Sequence, residues 1–250
     1  PVFFINSDEE VGSHDSTRVI VRLARGADRC FVLEPSLGPD GALKTARKGV
    51  GRFSITVRGK AAHAGLDPGK GASAILELSH IIQKLFALND PDKGITVNVG
   101  TIDGGLSPNM VAPESKAAVD VRVPTREDAS RVEAAIHALE AQTPGTELLI
   151  EGSVRRPPME RTPRNQRLWA LALRGAEELG IQIDQAAAGG GSDGNTTSLF
   201  APTLDGLGAV GAGAHAVNEH LVLDKMVERS ALLARLLSYG PLDEVEPEDR

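Results

Sequence analysis

Apolar residues in the first third of the chain follow two different rhythms. Val2–Ile5 is an unbroken apolar run, the pattern of a strand covered on both faces, and Cys30–Glu34 repeats it in shorter form. Between them Val19, Ile20 and Leu23 recur at helical spacing, which predicts a helix over about Asp15–Arg25, stopped by Gly26. Strands alternating with helices predict a mainly parallel sheet with covered faces. Near Gly49 the rhythm changes. Arg52–Arg58 alternates, with Phe53, Ile55 and Val57 on one side, as a half-buried strand does. Helix Ala72–Leu88, strands Ile95–Ile102 and Lys116–Val123, helix Arg126–Ala141 and strand Glu147–Gly152 are then predicted. The order β-α-β-β-α-β is that of a self-contained two-layer unit.

Arg155–Pro163, rich in Pro and Arg, reads as a return linker. Helix Gln166–Leu179, strand Ile181–Gln185, the glycine-rich turn Gly189–Gly194, a short strand or loop near Pro202–Leu207 and helix Asp224–Leu237 resume the first pattern. The expected fold class is therefore α/β. A discontinuous parallel- or mixed-sheet domain, 1–48 and 158–240, is interrupted by a ferredoxin-like unit, 49–157. The acidic, Pro-containing stretch 241–250 is expected to fray.

Composition narrows the function classes. A formal net charge of −7 argues against a nucleic-acid binder, which carries a basic face. No run of 18 apolar residues exists, so no membrane span is expected. Cys30 is the single cysteine, which excludes a disulfide framework and makes it a small core residue. Residue 1 is Pro and the chain opens inside an apolar run; a native terminus rarely does so. The reading is a chain that begins within a domain, with any targeting signal in the absent part; the compartment stays open, with the cytoplasm favoured.

Three features carry candidate chemistry. Asp8, Glu9 and Glu10 follow the first apolar run directly, where α/β sheets bind ligands. Three adjacent negative charges suit a divalent cation, with one carboxylate as ligand and its neighbour as base on a bound water; a solvated capping loop is the alternative. Glu34 ends the second apolar strand and can converge on the same crevice, or be an exposed loop residue. His215 lies in a loop of glycine and alanine, where imidazole could approach a metal closely or serve the loop alone. Gly189–Asp193 invites a phosphate-loop reading but lacks the Gly-Lys-Ser/Thr ending.

Asn6–Ser13, Glu34-Pro35, Gly59–Gly65, Asn109 with Val119–Arg122, Gly189–Asp193 and His215 occur together in the order of the dizinc aminoacylase-type carboxypeptidases. Within that family the chain resembles most the folate-cleaving type of glutamate carboxypeptidase. Acetylornithine deacetylase and succinyl-diaminopimelate desuccinylase types are the nearest alternatives, and a non-catalytic or inactive form is another. The resemblance implies that Glu9 is the general base, that Glu10, Glu34 and His215 are ligands in a two-zinc centre, and that Asp8 is a supporting residue. It implies a homodimer formed through the inserted unit, in which His63 enters a neighbouring active site to stabilise the oxyanion. Asn109 and Arg122, and more weakly Arg156, would grip the carboxylate of a small peptide or N-acyl amino acid; for Arg122 a salt bridge on the strand face is the competing reading. Gly191 and Ser192 would line the substrate pocket, with Asp193 nearby. The family also needs a histidine and a bridging aspartate from upstream motifs, and this chain has neither, so its zinc sites are expected to be partial or empty. His14, His80, His137 and His220 match no motif and read as surface or packing residues.

Overall fold

The computed structural model describes residues 1–242; residues 243–250, which hold most of the predicted frayed tail, lie outside the described residues. The chain divides into two compact units, Pro1–Lys48 with Met159–Arg250, and Gly49–Pro158. In chain order the elements are α1 (Thr17–Arg25), β1 (Cys30–Val32), β2 (Leu43–Arg47), β3 (Gly49–Arg58), α2 (Ala74–Phe86), β4 (Thr96–Gly104), β5 (Glu114–Val123), α3 (Arg126–His137), β6 (Glu147–Arg156), α4 (Pro163–Glu178), β7 (Gln185–Ala188), α5 (Asp193–Thr197), β8 (Thr203–Asp205), β9 (Gly211–Ala212), β10 (His220–Leu221) and α6 (Leu223–Ser238).

In the first unit the sheet runs β1-β8-β2-β7. The pairs β1·β8 and β2·β7 are parallel, whereas β2 meets β8 antiparallel, so the sheet is mixed. Leu43, Leu168, Leu171, Ala172, Leu204, Leu232 and Leu236 form its core, in which α4 and α6 pack together and α4 lies against β2 and β8. The start of α4 is written locally: Pro163 occupies the first turn, where its missing N–H costs nothing, and the Thr162 side chain accepts from the Asn165 N–H. The short α5 packs on α1, β1 and β8. No helix among the described residues is long and apolar enough to cross a membrane.

Several expectations are corrected here. Val2–Ile5 is not a strand: all four residues are exposed and none joins a sheet. A buried strand needs neighbours to take its backbone groups and cover its side chains, and no described element supplies them. A strand that the apolar pattern did not predict, β2, lies at the centre of the sheet. Its Lys44, Thr45 and Arg47 are buried, so its polar residues disguise a core position. Strand β7 begins at Gln185, where the expected strand ended, because its register is set by pairing with β2; Ile181 and Ile183 pack on the core from the connecting segment instead. Leu242 is buried and its N–H bonds to the Asp28 carboxylate, so the chain is anchored at least that far.

The second unit is a four-stranded antiparallel sheet, order β4-β5-β3-β6, with α2 and α3 covering one face. The alternation read from the sequence is the alternation observed: Phe53, Ile55 and Val57 meet Val119, Val121, Leu78, Ile81 and Ile136 in the core. Strand β6 continues to Arg156, so the first two residues of the expected linker are sheet. The N-termini of α2 and α3 are capped by Ser73 and Thr125. His137 packs edge-on to Phe53, with ring centroids 5.7 Å apart.

One buried acid ties this unit together. Glu77, on α2, has no exposed surface and accepts the backbone N–H groups of Gln142 (3.1 Å) and Thr143 (2.7 Å). Burial alone would raise its pKa, but the hydrogen bonds from Thr143 and Gln142 outweigh it and the net direction is down from 4.5. A lowered folded-state pKa gives stability that is present above the unfolded value and lost as pH falls through the folded one. Glu77→Ala should cost roughly 2–4 kcal/mol at pH 7, and the difference from wild type should shrink as unfolding is measured by urea at successively lower pH below about 4.5.

Candidate functional site

The acidic segment folds on itself. Glu9–Val11 is a single 3-10 turn, closed by Gly12 at φ 105° and Ser13 at φ 54°, both in the left-handed region. Asp8 is consumed by the turn. Its carboxylate accepts the Asp15 N–H at 2.8 Å, its carbonyl accepts the Ser13 N–H at 2.8 Å, and its own N–H bonds to the Asn6 side-chain oxygen at 2.9 Å. Glu9 is then half-buried and Glu10 exposed, on a turn whose backbone is held from both sides.

Glu34 stands just past β1, half-buried. Gly208 donates its N–H to the Glu34 carbonyl at 2.9 Å; a Cβ there would fall 2.8 Å from that oxygen, so the close approach needs glycine. Beneath lies a buried ion pair. Arg47 gives Nε to Asp205 Oδ2 (2.6 Å) and Nη2 to Oδ1 (3.1 Å), while Nη1 reaches the Gly190 carbonyl (3.0 Å). The same Nη2 is 3.8 Å from the Glu34 carboxylate. Asp205 also accepts the Ser192 hydroxyl at 2.5 Å and the Gly206 N–H.

A register shift between Lys44 and Ala46 places one extra residue in β2 and turns Lys44 and Arg47 toward the same face. Burial first, and the Asp205 carboxylate second, raise the pKa of Glu34, with Arg47 opposing them and Glu9 adding a further push upward. Burial and the Arg47 charge lower that of Lys44. The crevice thus gathers carboxylates that a cation would relieve. At the start of β1, burial pushes the Cys30 thiol up to about 11, so it is a packing residue.

His215 lies in the turn joining β9 and β10, itself at φ 62°. Its N–H bonds to Glu219 at 3.3 Å, and its Nε2 is 3.9 Å from the Glu10 carboxylate, with about four-fifths of each side chain exposed. Carboxylates and imidazole are donors that zinc takes. In number they fall short: among the described residues no three His, Cys, Asp or Glu side chains are grouped closely enough to hold one ion. The residues present do not make a metal centre by themselves.

Ser192 is fully buried and caps α5, its hydroxyl spent on Asp205 and on the Gly194 N–H. This placement argues against the expected role in lining a substrate pocket; Gly191 beside it is half-buried. The contribution of the glycine-rich turn is structural: it gives a carbonyl to Arg47 and a capping box to α5.

The second unit carries the remaining candidates. Nδ1 of the exposed His63 accepts the N–H groups of Gly65 (3.2 Å) and Leu66 (3.1 Å). A nitrogen that accepts twice carries no proton, so in the neutral ring Nε2 bears it and can donate outward. Asn109 is brought close to it, since its carbonyl takes the Ala64 N–H at 2.9 Å and Met110 bridges to His63. Arg122 is held by Asp120 in a two-pronged pair of 2.7 and 3.0 Å, which is the strand-face salt bridge and not an open guanidinium. Arg156 ends β6, half-buried.

Sequence reasoning missed Arg47, Lys44 and Asp205. The signal was slight: charges inside LKTAR and TLD, each too short to show a period. Removing only Arg47 leaves a buried carboxylate without its cation. Arg47→Met should therefore cost about 3–5 kcal/mol in urea unfolding, and Arg47→Met with Asp205→Asn clearly less than the two single losses summed.

Comparison with known proteins sets this geometry in context. Residues 45–145 match the peptidase dimerisation domain family of M20 peptidases. Over 240 residues the chain is 27% identical to carboxypeptidase G2 of Pseudomonas sp. (strain RS-16), covering 93% of this chain and 57% of that protein. It is 28% identical to acetylornithine deacetylase of Myxococcus xanthus, covering 94% and 63%. The crystal structure of aminopeptidase PepT from Bacillus cereus superposes with a TM-score of 0.78 at 26% identity, covering 93% of this chain and 62% of that one. The chain thus spans about three-fifths of the length of these relatives. The acidic turn, the Glu34 crevice and the His215 loop stand in that family's order, and together these matches support placing the chain with the M20 aminoacylase and carboxypeptidase superfamily.

Proposed function

We propose that the protein, in its natural full length, is a metal-dependent hydrolase that cleaves an amide bond next to a C-terminal carboxylate, in the manner of a glutamate carboxypeptidase. The observation that carries this reading is the approach of Glu10 to His215, 3.9 Å apart, from segments at opposite ends of the unit. The raised pKa of Glu34, caused by burial and by the Asp205 charge, supports a cation in the crevice. We propose zinc as that cation, since a carboxylate and an imidazole are donors it takes and Glu10 and His215 are the pair that the fold brings together.

In this reading the chain's own residues divide the work. Glu9, half-buried on its turn, takes a proton from the attacking water and returns it to the leaving amine. His63 donates from Nε2 to the oxyanion, and a homodimer formed through the second unit would bring it to the partner's site. Asn109 holds the substrate carboxylate. Arg122 can share that task only by giving up part of its hold on Asp120.

Carboxypeptidase G2 and acetylornithine deacetylase are matched at 27% and 28% identity, so an N-acyl amino acid deacylase is the second reading. Assay of the full-length protein on a glutamate-terminated peptide and on an acetylated ornithine separates the two. Greater kcat/KM on the peptide is expected, and activity on neither would overturn both. On the preferred substrate Glu9→Gln should lower kcat by roughly 10²–10⁴ with KM little changed. For the 250-residue chain, calorimetric titration with zinc should show weak binding that His215→Ala removes. Tight binding that survives His215→Ala would show that the ion is held elsewhere.

A further inference from the structure

The Asp193 carboxylate reaches both ends of the acidic turn. Its Oδ2 accepts the Asn6 Nδ2 at 2.5 Å and its Oδ1 accepts the Ser13 hydroxyl at 2.5 Å. The second Asn6 N–H goes to Ser13 Oγ at 3.1 Å, and Asn6 Oδ1 takes the Asp8 N–H. Every polar atom of the Asn6 side chain is thus engaged. The gripped residues lie three before Glu9 and three after Glu10. Ser13 is buried to 1% exposure at φ 54°, a backbone state that serine holds only when its surroundings fix it. Charge-assisted bonds to a carboxylate are the strong ones and supply that constraint.

Asp193 is itself held in place. It opens α5 directly after Ser192, whose hydroxyl is bonded to Asp205, and Asn195 closes the cap while donating to the Lys48 carbonyl at 3.1 Å. Asp205 is the carboxylate that Arg47 grips, and the Arg47 fork ends beside Glu34. One connected series therefore runs from Glu34 to the turn that carries Glu9 and Glu10: an ion pair to Arg47, hydrogen bonds through Asp205 to Ser192, the peptide link to Asp193, and its hydrogen bonds to Ser13 and Asn6.

We infer that Asp193 is a positioning residue: it sets where the Glu9–Glu10 turn stands relative to Glu34, and Ser13 is the point through which it acts. This rests on the hydrolase reading only for its consequence, because the clamp is a statement about the turn. It gives the Ser-Asp step of the glycine-rich segment a task other than touching substrate.

The test has two readouts. Amide exchange by mass spectrometry on the 250-residue chain follows the N–H groups of Gly12, Ser13 and Asp15, all bonded within the turn. Asp193→Ala should speed exchange across residues 8–16 at least tenfold while β3 and β5 stay as protected as in wild type. Asp193→Asn, which keeps one acceptor, should fall between. Ser13→Gly relieves the backbone at φ 54° while deleting the hydroxyl; it guards against an alanine variant that fails to fold, and should match Asp193→Ala. In the full-length protein Asp193→Ala should reduce kcat by roughly a hundredfold with KM nearly unchanged, with partial rescue in Asp193→Asn. Unchanged exchange over residues 8–16 in Asp193→Ala and Ser13→Gly overturns the inference, as does equal loss of protection in every strand. If the wild type hydrolyses neither test substrate, the exchange result still decides the clamp, so the two ideas fail separately.

Discussion

A guanidinium and a carboxylate withdrawn from water are tolerated only if nearly every donor and acceptor finds a partner, and Arg47 and Asp205 show what that demands. The pair is costly to bury, so it forces order around itself. The third arm of the arginine claims the Gly190 carbonyl, Asp205 claims the Ser192 hydroxyl and the Gly206 N–H, and Ser192 starts α5. Breaking any one link leaves a buried charge partly unsatisfied. The crevice of the first unit is in this sense built downward from its polar core, with the aliphatic core under α4 and α6 supplying the bulk and the ion pair supplying the geometry.

The candidate groups sit on that support and are more exposed than it. Glu10 and His215 face solvent, Glu9 and Glu34 are half-buried, and Arg47, Ser192 and Asp205 are buried. This division accords with the proposed hydrolase, whose reacting groups would have to meet water and substrate while their supports stayed fixed. It also explains the behaviour of Glu34, the one acid of the set that couples to both layers. The second unit works by other means. Its stability comes from a one-sided apolar sheet and two helices, and its candidate groups, His63 and Asn109, are fixed by short backbone bonds in an exposed loop.

Glycine and left-handed residues recur where the first unit needs tight approach. Gly208 lets the loop after β8 lie on the Glu34 backbone. Among the described residues, Ser13 and His215 are the two non-glycine positions at positive φ, where the chain holds a polar side chain in a conformation it does not favour. One closes the turn that carries Glu10 and the other is itself a candidate ligand, which accords with the tendency of such backbone states to gather at functional sites.

What the chain's pattern determined by itself is largely the second unit and the order of the motifs. Alternation of Phe53, Ile55 and Val57, and the helical spacing of Leu78, Ile81 and Leu85, are local signals, because one face of each element is apolar and the other polar. The acids at Glu9, Glu10 and Glu34 and the loop histidine were equally visible as residue types in sequence. Tertiary structure alone decided the centre of the first sheet. Strand β2 hides behind Lys44, Thr45 and Arg47, whose burial depends on Asp205 and Gln185 far along the chain. The apolar run Val2–Ile5 misled for the complementary reason: an apolar stretch is buried only when something covers it. Asp193 was visible only as part of a glycine-rich turn beside the expected substrate pocket, whereas it opens α5, and its bond to Ser13 goes with the docking of α5 on α1. A buried polar contact has no period, so it leaves no trace in the pattern of a sequence.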